Sequence, residues 1–86
     1  MFFVYILFSE KINKYYVGYS KNIEDRLTLH NQGCETFTSK GLPWKLVYFE
    51  KLETELLAIR REREIKAKKS RKYIEWLIAM LIEQSR

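Results

Sequence analysis

Residues 3–20, FVYILFSEKINKYYVGYS, contain two runs of strand-forming residues separated by a short polar segment. Residues 2–8 form a continuous apolar run rich in aromatic and β-branched types, which is typical of a strand buried on both faces. Residues 14–19 resume the composition of a strand. The two runs predict a β-hairpin with a loop of about five residues and a turn centred near Glu10 and Lys11.

Gly18 is unusual in the second strand, where it stands among the three tyrosines of YYVGYS at residues 15–20. Glycine packs no side chain in a strand and costs conformational entropy, so it often marks a bulge or a close approach by a ligand or another backbone. The predicted turn places Tyr5 roughly opposite Tyr16. We therefore expect the surface around this tyrosine pair to be shaped by something that lies against it.

The rest of the chain predicts one more strand and three helices. Asn22, Thr54 and Ser70 are candidate N-caps for the helices. The predicted segments are a helix near residues 23–31, a loop over residues 32–43, a strand over residues 44–50, a helix from Thr54 to about residue 67, and a last helix after Ser70. The order β-β-α-β-α-α predicts an α+β fold, a small three-stranded antiparallel sheet flanked by helices, in one domain over residues 1–86.

A carboxylate lies on the predicted apolar face of the second long helix. Leu57, Ala58 and Ile65 form that face and Glu62 lies along it, whereas Glu64 points to the opposite side. A buried carboxylate is costly unless it is paired or binds a metal, so Glu62 is a candidate functional residue. The apolar stripe of the last helix is predicted to comprise Ile74, Leu77, Ile78, Leu81 and Ile82.

Composition excludes several classes of protein. No apolar run approaches the about 20 residues of a membrane span, and the apolar N-terminus lacks the basic start and cleavage site of a secretion signal. Cys34 is the only cysteine, so no internal disulfide forms, and with His30 as the only histidine the usual zinc ligand set is missing. We expect a soluble protein in the cytoplasm.

The net charge of +5 is concentrated in residues 60–72, RREREIKAKKSRK, which contain eight basic and two acidic residues. Such a segment is a solvated helix surface, a contact with an anionic membrane, or a contact with nucleic acid. If it binds nucleic acid, the candidate contacts are Lys66, Lys68, Lys69, Arg71 and Lys72.

The unusual side chains are Tyr5, Tyr16, Arg26, His30 and Glu62. Together they provide a base, a cation and a carboxylate, which suits hydrolysis of a phosphodiester: a base activates water, a cation binds the phosphoryl oxygens and a carboxylate holds a divalent metal. Taken singly, each has an ordinary explanation. The tyrosines resemble a cross-strand pair with surface hydroxyls, Arg26 and His30 an exposed helix pair, and Glu62 a partner of Arg61 or another basic neighbour.

Five segments in order resemble the GIY-YIG nuclease superfamily, and in particular its small single-domain bacterial members. FVY at residues 3–5 and YVG at 16–18 match its two short motifs, and three longer matches follow at DRLTLHNQG (25–33), PWKLVYFE (43–50) and AIRREREIK (58–66). The resemblance covers about residues 1–80. Phe3 departs from it by replacing a glycine, and no asparagine follows Glu62 in the region AKKSRK, where larger relatives have one.

The resemblance implies a metal-dependent endonuclease, and DNA repair or recombination is the expected setting. Because the chain holds no zinc finger, helix-turn-helix or other base-reading module, we expect low base specificity. The resemblance also implies that Tyr5 or His30 activates water, Arg26 binds the scissile phosphate, Tyr16 positions it, and Glu62 holds one Mg²⁺ or Mn²⁺. By the same analogy, Gly18 belongs to a strand edge that admits a phosphate backbone. DNA is the expected partner in preference to RNA, with specificity for branched, nicked or single-stranded substrates or recruitment by a partner protein.

Two other classes of function stay open from the sequence. The chain is alternatively a nucleic-acid-binding module with little activity unless a partner is present, or an adaptor that uses the same surface for protein contacts. Steep weakening of binding with salt separates the first two classes from the adaptor. The flank of the last helix formed by Tyr73, Trp76 and Met80 is explained either by core packing or by a dimer face.

Overall fold

The computed structural model describes residues 1–33 and 39–84, without the side chain of Gln84. The strands and helices of this part of the chain are β1 (Phe2–Ser9), β2 (Lys14–Ser20), α1 (Ile23–Asn31), β3 (Trp44–Leu52), α2 (Glu55–Ala67) and α3 (Arg71–Gln84). The predicted order β-β-α-β-α-α and the α+β class are confirmed. The predicted loop over residues 32–43 lies partly outside the described residues, which exclude 34–38.

The sheet has three antiparallel strands in the order β2-β1-β3. The four residues from Val4 to Leu7 are all buried, although their side chains alternate between the two faces of the sheet. A central strand covered on both faces has this pattern, so the prediction for residues 2–8 is confirmed. The strands β2 and β3 form the two edges.

The register of the hairpin differs from the prediction. Tyr5 pairs with Gly18, and Tyr16 pairs with Leu7, so the prediction that Tyr5 lies roughly opposite Tyr16 is wrong by two residues. The turn is centred between Lys11 and Ile12, one residue later than expected, and the left-handed backbone of Asn13 (φ 54°) helps to close it. The pairing shifts by two residues, and because side chains alternate with period two, Tyr5 and Tyr16 still share one face.

Helices cover both faces of the sheet. On one face, α1 packs through Ile23 and Leu27 against a cluster formed by Tyr5, Leu7 and Trp44. On the other face, α2 and α3 complete a larger cluster made of Val4, Ile6, Val17, Tyr48, Ala58, Ile65 and Leu77. The tyrosine pair and α1 therefore occupy the same layer of the molecule.

The helix caps agree with the sequence. The side chains of Asn22, Thr54 and Ser70 accept hydrogen bonds from backbone N–H groups three residues later, at 3.1, 3.2 and 3.2 Å. These bonds satisfy donors that the first turn of a helix leaves unpaired. They fix where the three helices begin.

Two residues predicted for the apolar faces are not buried. Leu57 is 43% exposed and Ile82 is 55% exposed. Leu57 lies about 100° around α2 from the buried Ala58, and Ile82 lies about 140° around α3 from the buried Leu77, which turns both side chains away from the sheet. None of the helices in the described ranges is long and apolar enough to cross a membrane.

Candidate active site

Tyr5 and His30 form a hydrogen-bonded pair between the sheet and α1. The Tyr5 hydroxyl oxygen lies 3.1 Å from Nε2 of His30, and the residues are 1% and 0% exposed. The alternatives of a surface hydroxyl for Tyr5 and an exposed helix position for His30 are therefore wrong. The tautomer of His30 decides which of the two atoms donates the hydrogen bond.

Gly18 makes room for the ring of Tyr5. A Cβ atom at Gly18 would lie 2.6 Å from the Tyr5 hydroxyl oxygen and 2.7 Å from Cζ, closer than atoms can pack. Because the two residues are paired across β1 and β2, the tyrosine ring passes over the glycine on its way to His30. The close approach expected at this glycine is thus made by a side chain of the protein itself.

Tyr16 packs against His30 from the edge strand β2. The centroids of the two rings are 4.8 Å apart with an interplanar angle of 63°, and the Tyr16 ring also meets Trp44 at 6.3 Å. Tyr16 is half-buried, unlike Tyr5 and His30. It therefore lies between the buried pair and the surface of the molecule.

Asn31 anchors the end of α1 that carries His30. Its side-chain oxygen accepts a hydrogen bond from the Trp44 N–H at 2.7 Å, and its amide donates to the Trp44 carbonyl at 3.2 Å. These two bonds join the last turn of α1 to the first residue of β3. The sequence analysis missed Asn31. The sequence offers one indication of its role: a side chain with both a donor and an acceptor stands next to His30.

Arg26 lies one helical turn before His30 on α1 and is half-buried. Residues four apart on a helix project from the same side, so the guanidinium group of Arg26 belongs to the same flank of the molecule as His30. Four of the five predicted site residues therefore lie in the layer formed by the sheet and α1.

Glu62 lies on α2, which packs against the other face of the sheet. Its side chain is 17% exposed and its Oε1 accepts a hydrogen bond from Lys66 Nζ at 3.2 Å, whereas Glu64 is 56% exposed. The predicted difference between the two carboxylates is confirmed, and the ionic partner is Lys66 rather than Arg61.

Glu62 fits a hydrated divalent cation but not a closed metal cage. Across residues 1–33 and 39–84, no three His, Cys, Asp or Glu side chains are grouped so that they could hold a metal. Mg²⁺ commonly keeps several waters and binds through one or two carboxylates together with substrate phosphates. Glu62, with 17% of its side chain exposed, could provide one such ligand if the cation took the place of Lys66.

A cleft of about 500 Å³ opens along the edge strand β2. It lies between β2 and the junction of α2 with α3, and its wall includes Tyr16 and Lys66, the partner of Glu62. Val17, Ile65 and Ile74 give it an apolar floor, while Lys14, Lys69 and Arg71 contribute positive charge. Of the predicted site residues the cleft wall includes Tyr16, and Lys66 connects the wall to Glu62.

Comparison with known families matches residues 1–74 to the GIY-YIG catalytic domain. The chain belongs to the GIY-YIG family. It is 43% identical over 67 residues to a UPF0213 protein of Clostridium perfringens (77% of this chain and 71% of the relative), and 42% identical over 65 residues to one of Staphylococcus haemolyticus (74% and 78%). A UPF0213 protein of Staphylococcus saprophyticus is 44% identical over 52 residues, which cover 59% of this chain and 63% of the relative. No solved structure gives a significant match.

The basic segment of this GIY-YIG domain contains side chains of two kinds. Lys66, Lys68, Lys69 and Lys72 are exposed at the end of α2 and the start of α3. Arg71 differs, because its guanidinium donates to the carbonyl and the side-chain oxygen of Asn13 at 2.8 and 2.7 Å. Arg71 thus ties α3 to the β1–β2 turn.

A half-buried ion pair attaches α2 to β3 and was missed by the sequence analysis. Arg61 contacts both carboxylate oxygens of Glu50 at 2.9 and 3.0 Å through Nε, and Tyr48 donates to Glu50 at 2.5 Å. Burial, with a further contribution from Glu50, raises the pKa of the Tyr48 hydroxyl, and the bond to Glu50 raises the pKa of Arg61. Glu62 follows Arg61 directly, so this pair fixes the part of α2 that carries the candidate metal ligand.

Proposed function

We propose that this GIY-YIG domain, residues 1–86, is a metal-dependent endonuclease that hydrolyses DNA phosphodiester bonds with low base specificity. The observation that carries the proposal is the buried Tyr5–His30 hydrogen bond beside the Tyr16 ring, within residues that match a GIY-YIG catalytic domain. A tyrosine and a histidine held in this way form a unit for moving a proton.

The pair would act as the general base. As the Tyr5 oxygen takes a proton from the attacking water, its own hydroxyl proton passes to His30 Nε2. The products of this step are a hydroxide that attacks phosphorus and an imidazolium on His30. Because His30 lies next to Asn31, whose two bonds to Trp44 hold the helix end, the ring keeps its position relative to Tyr5 during the transfer.

Arg26 and Tyr16 would hold the scissile phosphate. The guanidinium of Arg26 provides several donors for phosphoryl oxygens, and their attraction grows as negative charge develops in the transition state. Tyr16, which lines the cleft, would add a hydroxyl donor for the phosphate. Both residues are half-buried, so they combine access to substrate with a fixed position.

Glu62 would hold the divalent cation, Mg²⁺ or Mn²⁺. Bound there, the cation would neutralise charge on the leaving oxygen of the phosphodiester. The ammonium of Lys66, which contacts Glu62 at 3.2 Å, provides compensating charge to the carboxylate. If the Glu62 carboxylate bound a cation instead of Lys66, the Lys66 ammonium would be available to bind a substrate phosphate.

The basic segment would bind the nucleic-acid backbone without reading bases. Lysine contacts to phosphate position a chain but carry no sequence information, which supports low base specificity. The proposal also includes selectivity for branched, nicked or single-stranded DNA and a preference for DNA over RNA. It further includes a role in repair or recombination and recruitment by a protein partner. The cytoplasmic location expected from the single cysteine stays a prediction.

One observation favours a second candidate, a nucleic-acid-binding module that needs a partner or a conformational change for activity. Tyr5 and His30 are 1% and 0% exposed, so the proposed base does not meet bulk water in this conformation. Substrate binding against Tyr16 would have to open a path to the Tyr5 oxygen. A module that binds tightly but cleaves only with a partner fits the same geometry.

Cleavage of a panel of labelled DNAs tests the proposal. Duplex, single-stranded, flap and branched substrates are incubated with the wild type and with Glu62→Ala in Mg²⁺, Mn²⁺ and EDTA, with Glu64→Ala as the matched control on the exposed side of α2. Metal-dependent cutting that is lost in Glu62→Ala and kept in Glu64→Ala supports the nuclease. No cutting by any of the proteins, with salt-sensitive binding retained, supports the binding module instead.

A further inference from the structure

An exposed tryptophan lies on α3 beyond the residues that match the GIY-YIG domain. Trp76 is 55% exposed, and the family match ends at residue 74. The only other tryptophan, Trp44, is 2% exposed and belongs to the core. Trp76 is therefore the tryptophan that is available for a contact at the surface.

The Trp76 ring packs against Tyr73. The two rings are stacked, with centroids 5.8 Å apart and an interplanar angle of 29°. The Tyr73 hydroxyl accepts a hydrogen bond from Arg61 at 3.3 Å, which connects it to the Glu50–Arg61 ion pair. The inner face of the indole is thus supported by a fixed ring, while more than half of the residue remains open to solvent.

Two lysines lie near this pair of rings. Lys68 Nζ lies 5.4 Å from the centroid of the Tyr73 ring, and Lys72 lies one helical turn before Trp76 on the same flank of α3. Both lysines are exposed. An aromatic ring between ammonium groups matches an unpaired nucleotide, whose base stacks on the ring while its phosphates meet the cations.

We propose that Trp76 stacks against an unpaired base of the nucleic acid, outside the candidate active site. The proposal rests on the proposed function, to which it adds a recognition residue for unpaired nucleotides. Trp76 lies about 200° around α3 from Ile74, which lines the cleft, so the bound chain crosses the lysine-rich start of α3 between the two contacts. A base in a duplex is already stacked on both sides and gains nothing from Trp76.

A dimer face is the competing explanation and has less support. A stable protein interface buries about 800 Å² on each partner. The exposed parts of Trp76 and Met80, which is 37% exposed, together offer on the order of 200 Å², and the flanking lysines would repel their copies across a symmetric interface.

The test is binding of single-stranded oligothymidylate of about 16 nucleotides, compared with a duplex of equal length. Affinity is measured by fluorescence anisotropy in EDTA, so that cleavage plays no part. Trp76→Leu keeps apolar bulk but removes the aromatic ring, Trp76→Phe keeps a smaller ring, and Met80→Ala is the matched control on the same flank.

Trp76→Leu is expected to bind the single strand about tenfold more weakly, with Trp76→Phe recovering most of the loss. Its salt dependence should equal that of the wild type, since no charge is removed. The affinity of Trp76→Leu for the duplex should equal that of the wild type. Met80→Ala should bind the single strand as tightly as the wild type does. Quenching of wild-type tryptophan emission by the oligonucleotide should be largely absent in Trp76→Phe, because the remaining Trp44 is buried.

Three results would overturn the proposal: unchanged single-strand affinity in Trp76→Leu, an equal loss for duplex and single strand, or a sedimentation-detected dimer that Trp76→Leu dissociates. Cleavage is measured separately. If the wild type cuts DNA and Trp76→Leu binds normally, the stacking contact fails and the nuclease stands. If the wild type never cuts but Trp76-dependent binding persists, the nuclease fails and the contact stands.

Discussion

The hydroxyl of Tyr5 lies 3.1 Å from Nε2 of His30, in a place where both residues are buried. A hydrogen bond between two buried polar groups is costly to break, because neither group can exchange it for a bond to bulk water. The same burial protects the pair from exchange with solvent. The geometry therefore serves both the packing of α1 on the sheet and the proposed transfer of a proton.

Tyr5→Phe should abolish most of the cleavage while the protein remains folded. Removal of the hydroxyl breaks the proposed path for the proton, and general-base catalysis typically contributes about 10² to 10⁴-fold to a rate. The cost in unfolding free energy should be about 1–3 kcal/mol, because His30 Nε2 keeps its burial but loses this partner. Single-turnover cleavage rates and urea unfolding measure the two effects.

The matched control for this variant is Tyr19→Phe, a half-buried tyrosine of β2 on the opposite face of the sheet. It should leave the rate unchanged. If Tyr5→Phe cleaves at the wild-type rate, Tyr5 has no part in the chemistry and His30 alone becomes the candidate base.

Gly18→Ala should lower both stability and activity. The added Cβ would lie 2.6 Å from the Tyr5 hydroxyl oxygen, and the buried ring must move to accommodate it. Overpacking of this kind typically costs about 1–3 kcal/mol, and the movement takes the hydroxyl away from His30. Thermal unfolding and the cleavage rate per folded molecule provide the measurements.

Gly33→Ala provides the comparison for Gly18→Ala. Its backbone has φ +75°, which disfavours alanine, but the nearest side-chain atoms would lie 3.9 Å from the added methyl group. It should lose stability without losing the rate per folded molecule. Equal rates in both variants would show that the position of the Tyr5 ring does not limit the reaction.

Asn31→Ala should weaken the attachment of α1 to β3. Two hydrogen bonds to the Trp44 backbone are lost, and the expected cost is about 1–3 kcal/mol in unfolding free energy. Since His30 is the preceding residue, the cleavage rate should fall as well. Thr28→Ala on the same helix removes only an exposed bond to the Glu24 carbonyl and should stay within about 0.5 kcal/mol of the wild type. Equal urea midpoints for the two variants would contradict this role of Asn31.

The stability contributed by Tyr48 should decrease in alkaline solution. Burial and the hydrogen bond to Glu50 raise the pKa of Tyr48 in the folded protein, whereas a tyrosine in an unfolded chain loses its proton near about pH 10. The unfolded chain therefore loses the Tyr48 proton at a lower pH than the folded protein does. The contribution is fully present below about pH 10 and declines as the pH rises above it.

Urea unfolding of the wild type and Tyr48→Phe at a series of pH values measures this effect. The advantage of the wild type over the variant should shrink as the pH rises from about 10 to about 11. In a Glu50→Gln background the change with pH should be smaller, because one cause of the raised pKa is removed. A difference that does not vary with pH would show that Tyr48 is not coupled to proton release on unfolding.

Sequence alone predicted the elements and the residues at which they begin, because these depend on local signals: caps, alternation and apolar spacing. The relation of Tyr5 to Gly18 depends on where the hairpin turns, and a shift of one residue in the turn changes the pairing by two. The Asn31–Trp44 bonds and the Glu50–Arg61 pair join residues far apart in the chain, and no local pattern marks them. The exposure of Leu57 and Ile82 depends on the angle at which each helix meets the sheet.

The basic segment should separate into residues that bind nucleic acid and one that stabilises the fold. Lys69→Gln and Lys72→Gln remove exposed charges, and removal of one phosphate-binding charge should reduce the slope of log affinity against log salt by about 0.9 for duplex DNA. Neither should change stability by more than about 0.5 kcal/mol.

Arg71→Gln, in contrast, breaks the two bonds to Asn13 between α3 and the β1–β2 turn, so it should lower the urea midpoint. Because Arg71 is already held by Asn13, its effect on the salt slope should be smaller than that of either lysine. The opposite pattern, with an unchanged midpoint and a large decrease of slope in Arg71→Gln, would mean that Arg71 leaves Asn13 to bind phosphate.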